Sequence, residues 1–164
     1  MTGDIWIRRA RAEDMDAVVA LNDAAFGTTD EGRITRQLQA EGDSVLSLVA
    51  VEGDDIVGHI EFFRVLIDGA PVGAGLGPMS VRPGLQKQGT GGALIRLGLA
   101  ALEGAGEGIV FVLGHATYYP KFGFTAAAAQ PFKVAWSGPH FMALKLSDRA
   151  PKSGVLTYPT AFSG

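Results

Sequence analysis

A glycine-rich turn that leads directly into an apolar helix is the feature that most constrains this chain. The segment runs from Val81 to Leu102 and reads VRPGLQKQGTGGALIRLGLAAL. Backbone N–H groups at the start of a helix have no partner within the helix, and the helix dipole adds about half a positive charge there. An anion, typically a phosphate, is therefore the expected ligand of this turn.

Length and composition predict one globular domain that spans residues 1–164. The chain of 164 residues is long enough to bury a continuous core, and its hydrophobic fraction of 47% with a charged fraction of 19% is typical of globular proteins. The net charge of −3 gives no general attraction to phosphate backbones or to anionic lipid. We therefore expect a small-molecule partner, and no binding to nucleic acid or to a membrane. The protein is expected to be a monomer or a homodimer.

Cysteine is absent from the chain. Its absence excludes disulfides, a thiolate nucleophile and cysteine-based zinc sites, and no other set of metal ligands is apparent. The N-terminal residues MTGDIWIRRA contain no apolar run of signal-peptide length, and eighteen apolar residues never occur together. These features favour a cytoplasmic protein.

The first part of the chain is predicted to form a strand and two helices. IWIRRA alternates apolar and polar residues, as a strand does, and AEDMDAVVALNDAAF places its apolar residues on one helical face. Thr28 followed by Glu31 is a capping-box pattern that opens a second, more polar helix through GRITRQL, ending before Gly42.

The remainder of the chain predicts a mixed sheet. SLVAVE, IVGHIEFFRVLI and VGAGLGPMSV form an antiparallel meander, with turns at residues 53–55 and at Asp68-Gly69. GIVFVL follows the glycine-rich helix as a buried strand, so a right-handed crossover makes it parallel to its neighbour. A short helix over residues 118–122 and a strand FMALKL come later. The fold class is therefore α+β, with helices flanking a central sheet.

Known phosphate-binding turns differ from this one. An ATP- or GTP-binding P-loop requires Lys and then Ser or Thr where Thr90 and Gly91 stand. A dinucleotide-binding turn requires a third glycine where Leu94 stands, and it follows an early strand of a parallel sheet. A further interpretation is that the glycines serve only a tight turn and close helix packing.

The wider pattern Val81-x-Pro83-x-x-Gln86-x-x-Gly89-x-Gly91 resembles the acyl-CoA binding motif of the GNAT superfamily of N-acetyltransferases. The resemblance implies a mostly antiparallel sheet of about six to seven strands, in which a splayed parallel pair forms the cleft for acetyl-CoA. It implies that loop amides hold the cofactor pyrophosphate, at Gln86, Lys87, Gln88, Gly89, Thr90, Gly91 and Gly92. It also implies that the main chain of one strand pairs with the pantetheine arm, at Met79, Ser80 and Val81.

A second segment, TYYPKFGF, resembles the signature in which a tyrosine stands four residues before Gly-Phe. The resemblance places Tyr119 at the catalytic tyrosine, which would protonate the leaving CoA thiolate. A nearby positive charge or a helix N-terminus could lower its pKa from the ordinary value of about 10. With LGHATYYPKFGF, FMALKL and YPTAF, the whole chain is similar to the small bacterial YhbS-like branch.

The sequence departs from the family where an asparagine and a general base are common. Val112 stands at the asparagine position, and Gly75 stands where some relatives carry a glutamate base. His115 is either a base or a hydrogen-bonded structural residue. Glu61 is either a base or, as the alternation of its strand favours, a solvated side chain. Water is the third option for the base.

Other side chains have simpler interpretations. Lys87 is either a solvated loop charge or a point charge that neutralises a phosphate. Trp6 and Trp136 are expected to be packing residues. The sequence thus predicts an acyl-CoA-dependent N-acetyltransferase that transfers acetyl from acetyl-CoA directly to an amine of a small molecule or peptide. The alternative is a non-catalytic CoA-binding or sensor module on the same fold.

Replacing Gln86 tests whether main chain or side chains anchor the cofactor. We expect Gln86→Ala to weaken CoA binding by only about 1 kcal/mol, because backbone amides provide most of the contacts. Isothermal titration calorimetry with CoA measures this difference. A hundredfold loss of affinity would assign the site to side chains instead.

Overall fold

Alternating strands in the first half of the chain and an apolar helix in the second build a mixed sheet with helices on both faces. The computed structural model describes residues 4–163. Its strands are β1 (Ile5–Arg9), β2 (Ser44–Glu52), β3 (Asp55–Ile67), β4 (Ala70–Val81), β5 (Ile109–Leu113), β6 (Phe132–Lys133), β7 (Phe141–Lys145) and β8 (Gly154–Thr157). Its helices are α1 (Met15–Phe26), α2 (Asp30–Ala40), α3 (Thr90–Gly104) and α4 (Ala126–Ala129), with 3-10 turns at Ala12–Asp14, Tyr119–Phe122 and Thr160–Phe162.

The strands form one open sheet in the order β1-β2-β3-β4-β5-β7. Every neighbouring pair along this order is antiparallel except β4 and β5, which are parallel. The predicted fold class is confirmed, but the sheet has eight strands instead of six to seven. The additional strands are β6 and β8, which pair with each other and are too short to show an alternating pattern. Within residues 4–163, no helix is long and apolar enough to cross a membrane.

The turn between β3 and β4 follows the prediction. Ile67 pairs with Ala70, so Asp68 and Gly69 alone form the loop. Their φ angles are +50° and +81°, which is the left-handed conformation that a two-residue hairpin turn requires at both positions. The meander of β2, β3 and β4 is confirmed.

The parallel pair separates soon after it forms. β4 and β5 pair only from Ala74 with Val110 to Leu76 with Val112. β4 then continues to Val81 against β3 alone, after an irregularity in its register with β3. Pro78 lies in this unpaired stretch, where the lack of an N–H donor costs no ladder hydrogen bond. The predicted splayed pair is therefore present, and it leaves a wedge between the two strands.

Apolar layers cover both faces of the sheet. On one face, α3 packs through its apolar stripe on β2 and β3, with core members Leu94, Ile95, Leu99, Leu102, Leu46, Leu48, Ile60 and Phe62. A Cβ at Gly98 would overlap the Phe62 ring, so the helix lies directly on the strand at this point. On the other face, Leu38 of α2 joins Phe63, Val65, Phe111 and Phe141.

A buried polar cluster lies between β3 and the two N-terminal helices. Glu61 is fully buried, and its Oε1 lies 3.1 Å from His59 Nε2. Ser44 Oγ and Gln39 Nε2 donate to its other oxygen. The Asn22 side chain contacts His59 Nδ1 at 3.2 Å. The prediction that Glu61 is solvated is wrong, because α1 and α2 cover the polar face of β3.

Removing the Glu61 carboxylate should destabilise the fold. Glu61→Ala leaves His59, Ser44 and Gln39 without their shared acceptor, and we expect a loss of roughly 3 kcal/mol in the free energy of unfolding. Urea denaturation followed by circular dichroism measures it. Glu13→Ala is the control, since this carboxylate is exposed and pairs with Arg11 only at 3.8 Å. Equal stabilities for the two variants would contradict the structural role of the cluster.

Candidate functional site

A cavity of about 860 Å³ occupies the wedge between β4 and β5. Its walls come from the end of α1, the start of α2, β4, β5, the loop before α3, the tyrosine turn and the C-terminal segment. The volume lies in the range of small-molecule sites. Splaying of the parallel pair therefore opens a cavity toward the middle of the sheet.

The loop before α3 presents a row of unused donors. No amide N–H from residue 86 to residue 92 donates to an acceptor of the described chain. Gly89 is the N-cap of α3 with φ +88°, and neither a capping side chain nor an acidic residue occupies the first turn of the helix. By contrast, α2 carries Asp30 and Glu31 in its first turn. The start of α3 is thus open to an external anion.

Left-handed backbone shapes this loop. Lys87 adopts φ +67° and Gly84 adopts φ +95°. A Cβ placed on Gly91 would lie 3.3 Å from Tyr118 Oη and 3.5 Å from Met79 Cε. Gly91 therefore faces a hydroxyl and a thioether. A side chain at this position would fill the space between them, whereas glycine leaves the backbone accessible.

The Gln86 side chain ties the loop to the strand that precedes it. Gln86 Nε2 donates to the Val81 carbonyl oxygen at 3.2 Å. Breaking one such neutral hydrogen bond agrees with a small expected effect of Gln86→Ala.

The predicted binding residues divide into two groups. Met79, Gln86 and Lys87 line the cavity with their side chains. The other seven do not line it: Ser80, Val81, Gln88, Gly89, Thr90, Gly91 and Gly92. Ser80 and Thr90 are buried, and Ser80 Oγ has no hydrogen-bond partner in the described residues.

Tyr119 lines the cavity from the 3-10 turn after β5. The N–H groups of Tyr118 and Tyr119 both donate to the His115 carbonyl oxygen, at 3.1 and 3.3 Å. Its ring packs edge-on against Tyr118 at 5.2 Å and Phe124 at 5.9 Å. A Cβ on Gly114 would overlap the Tyr119 ring, so the glycine makes room for it.

Burial raises the pKa of Tyr119 to about 12, with a smaller contribution from Tyr118. The expectation that a positive charge or a helix N-terminus lowers this pKa is wrong. Those features surround Tyr118 instead, whose hydroxyl lies near the start of α3 and whose ring is 5.0 Å from Lys121 Nζ. Tyr119 therefore holds its proton throughout the neutral range.

Comparison with known proteins identifies the family and the fold of this chain. The family described as Acetyltransferase (GNAT) domain matches residues 6–127. The chain belongs to the GNAT acetyltransferase family. The Escherichia coli protein named "Uncharacterized N-acetyltransferase YjhQ" is 41% identical over 109 residues, which cover 63% of this chain. The match spans 60% of the length of YjhQ.

Two solved GNAT structures align along the whole chain. An acetyltransferase from Brucella melitensis in complex with acetyl-CoA is 38% identical, with a TM-score of 0.84, over 97% of this chain and 98% of its own. YhbS from Escherichia coli in complex with CoA is 26% identical, with a TM-score of 0.92, over 100% of this chain and 94% of its own. The predicted membership in the GNAT superfamily and the similarity to YhbS are confirmed.

This GNAT domain has no room for a base at Gly75 of β4. A Cβ on Gly75 would overlap the Phe63 ring, so a longer side chain there would displace the ring from the core. Val112, at the asparagine position, is buried and packs in the core beside α3. His115 is exposed at the cavity, whereas Glu61 does not line it.

The GNAT cavity contains residues that the sequence analysis did not assign to the site. Glu31 is the one carboxylate among the described residues that line it, and the sequence pattern indicated only a capping role for Glu31. Its Oε1 accepts from Thr28 Oγ1 at 3.3 Å. Trp136 lines the cavity instead of only packing, and Trp6 is 70% exposed on β1, so its packing role is wrong. Tyr158 and Phe162 also line the cavity, from the chain beyond the family match.

Substitution of Gly91 tests the open start of α3. We expect Gly91→Val to weaken CoA binding at least tenfold while the fold remains, because its methyl groups would fill the space between Met79 and Tyr118. Gly104→Val is the matched control, since it adds the same side chain to the last turn of α3 in open space. Calorimetry and circular dichroism measure binding and folding. Unchanged CoA affinity in a folded Gly91→Val would remove the site from this loop, and Gly89→Val adds backbone strain at φ +88°.

Proposed function

We propose that this protein is an acetyl-CoA-dependent N-acetyltransferase that transfers the acetyl group directly to an amine of a small molecule or peptide. The observation that carries the proposal is the row of unused N–H donors over residues 86–92, which borders a cavity in the splayed sheet. The relatives crystallised with acetyl-CoA and with CoA support it.

Residues of the loop and of β4 fit the cofactor. The free amides from Gln86 to Gly92 match the acceptor oxygens of a pyrophosphate, and the dipole of α3 favours its charge. Lys87 lies on the cavity beside this loop and adds a positive charge. The edge of β4 from Met79 to Val81 has no strand partner on the side of the wedge, so its main chain suits an amide-containing arm.

Acetyl-CoA, when bound, supplies a thioester whose carbonyl carbon accepts the amine nitrogen. Since the chain has no cysteine, no cysteine acyl-enzyme can form and the amine attacks directly. A C–N bond forms, the C–S bond breaks, and the electron pair leaves with sulfur. Tyr119 Oη then donates a proton to that sulfur and regains one from the amine nitrogen, relayed by water or by His115.

The contribution of Tyr119 to the reaction depends more on the position of its hydroxyl than on its acidity. With a pKa of about 12 against about 8.5 for a thiol, it is the weaker acid by roughly 3.5 units. It is nevertheless fully protonated at neutral pH, so its hydroxyl is always able to donate. A hydroxyl that the fold holds in place stabilises developing charge on a leaving group better than water does, because it needs no reorganisation.

A non-catalytic CoA-binding module is the second candidate. It is favoured by Phe63 filling the position where some relatives carry a base, and by the buried Val112. Thiol release measured across a panel of amines separates the two functions, because only the enzyme releases free CoA at a rate that depends on the amine. Native mass spectrometry of the purified protein tests whether CoA is bound at all.

Tyr119→Phe tests the proton donor. We expect kcat to fall by roughly 10²–10⁴ while CoA affinity and stability remain close to those of the unmodified protein, since only the hydroxyl is lost. Steady-state kinetics with CoA titrations measures both.

Tyr118→Phe is the matched control, because it removes a neighbouring hydroxyl that also borders the cavity. A crippled Tyr118→Phe beside an active Tyr119→Phe would transfer the role to Tyr118. Full activity in both variants would assign proton donation to water.

A further inference from the structure

We propose that the acceptor is an arylalkylamine, a monocationic primary amine carried on a flat aromatic group. An aromatic wall would hold the ring, and Glu31 would attract the ammonium group. This inference rests on the proposed function, because it names the class of its acceptor. We define the aromatic wall as Phe63, Trp136, Tyr158 and Phe162.

The aromatic wall is a contiguous set of rings along one side of the cavity. Phe63 lies 4.5 Å from Phe162 and 5.2 Å from Tyr158, measured between ring centroids. Tyr158 lies 4.7 Å from Trp136 in an edge-to-face arrangement. Tilted and edge-to-face rings leave faces and edges on which a further aromatic ring can pack.

Three of these rings come from the end of the chain. Trp136 precedes β7, and Tyr158 and Phe162 follow β8, all beyond residue 127, where the family match ends. Phe63 belongs to β3, and its ring takes the space that a side chain at Gly75 would need. The Phe63 ring therefore gives the cavity an aromatic surface at the place on β4 where a polar side chain could otherwise stand.

One negative charge accompanies the aromatic wall. Glu31 is the single carboxylate among the cavity-lining residues, and no Lys, Arg or His of residues 4–163 lies within 4.0 Å of it. Ile34, one turn further along α2, packs in the same apolar cluster as the wall. Glu31 and Ile34 share a helix face, and Glu31 lines the same cavity as the rings. A cation at this place gains both charge attraction and cation–π contacts.

The unused N–H donor of Trp136 indicates a polar substituent on the aromatic ring of the acceptor. Trp136 Nε1 is buried and has no partner of hydrogen-bond geometry among residues 4–163. Burial raises the pKa of Tyr158 and the nearby Trp136 indole opposes that rise, but the two groups form no hydrogen bond of good geometry, so the indole N–H is free for a better acceptor. An ether or hydroxyl oxygen on the ligand ring would satisfy it.

A lining of one carboxylate and several aromatic rings is a poorer match for other classes of ligand. A polyamine or an aminoglycoside carries several ammonium groups, and a cavity with one carboxylate leaves the others unpaired. A lysine side chain carries one charge on a thin methylene chain that covers little of the wall. A long acyl chain on CoA would fit the rings but has no use for Glu31.

Binding measurements test the proposed class of amine without requiring catalytic turnover. Trp6→Phe leaves Trp136 as the one tryptophan of the chain, so its emission reports on the wall. We expect phenethylamine to change this emission saturably in CoA-loaded protein, and 4-methoxyphenethylamine to bind more tightly. Spermidine should bind at least tenfold more weakly.

Separate substitutions then test the Glu31 charge and the aromatic wall. Glu31→Gln should lower the affinity for phenethylamine about tenfold and leave that for uncharged 2-phenylethanol unchanged. Asp30→Asn is the matched control, because it removes an acid from the same first turn of α2 outside the cavity. Phe162→Leu should weaken both ligands and leave CoA affinity unchanged.

Three results would overturn the proposal while CoA still binds. These are stronger binding of spermidine, equal effects of Glu31→Gln and Asp30→Asn on phenethylamine, or a higher kcat/KM for long-chain acyl-CoA than for acetyl-CoA that Phe162→Leu abolishes. Failure of CoA to bind would instead overturn the proposed function.

Discussion

The separation of β4 from β5 after Leu76 and Val112 is the constraint on which the rest of the site depends. β3 holds β4 in place as far as Val81, and β7 holds β5 as far as Leu113. Neither strand can close the gap without giving up a partner. The backbone of β4 that faces the wedge must then be satisfied by water or by a ligand. An extended chain of amides is the ligand that fits such an edge best.

The loop before α3 completes this site by leaving its own donors unused. Left-handed backbone at Lys87 and Gly89 turns the chain into the helix without a capping side chain. The hydrogen bond from Gln86 to the Val81 carbonyl joins loop and strand. A charged ligand at the start of α3 and an extended one along β4 are therefore parts of one binding surface.

Charge is distributed unevenly around the cavity. Lys87 and the free amides favour an anion at the loop, whereas Glu31 is the single carboxylate among the described cavity-lining residues, which also include a surface of aromatic rings. Burial raises the pKa of Tyr119, so its hydroxyl stays protonated at neutral pH. The Phe63 ring at the position of a β4 base means that deprotonation of the amine depends on water, on His115 or on an amine of low pKa.

The sequence by itself determined the features that depend on neighbouring residues. These are the order of strands and helices, the Asp68-Gly69 turn, the open start of α3 and the position of Tyr119 after β5. Each follows from local backbone preference or from a short motif. Tertiary structure decided what distant segments do to one another. Alternation showed Glu61 on the polar face of β3, but only the packing of α1 and α2 buries that face. Likewise, Tyr158 and Phe162 pack on Phe63, and Trp136 packs on Tyr158, because β8 pairs with β3. No local pattern encodes this contact between segments far apart in sequence.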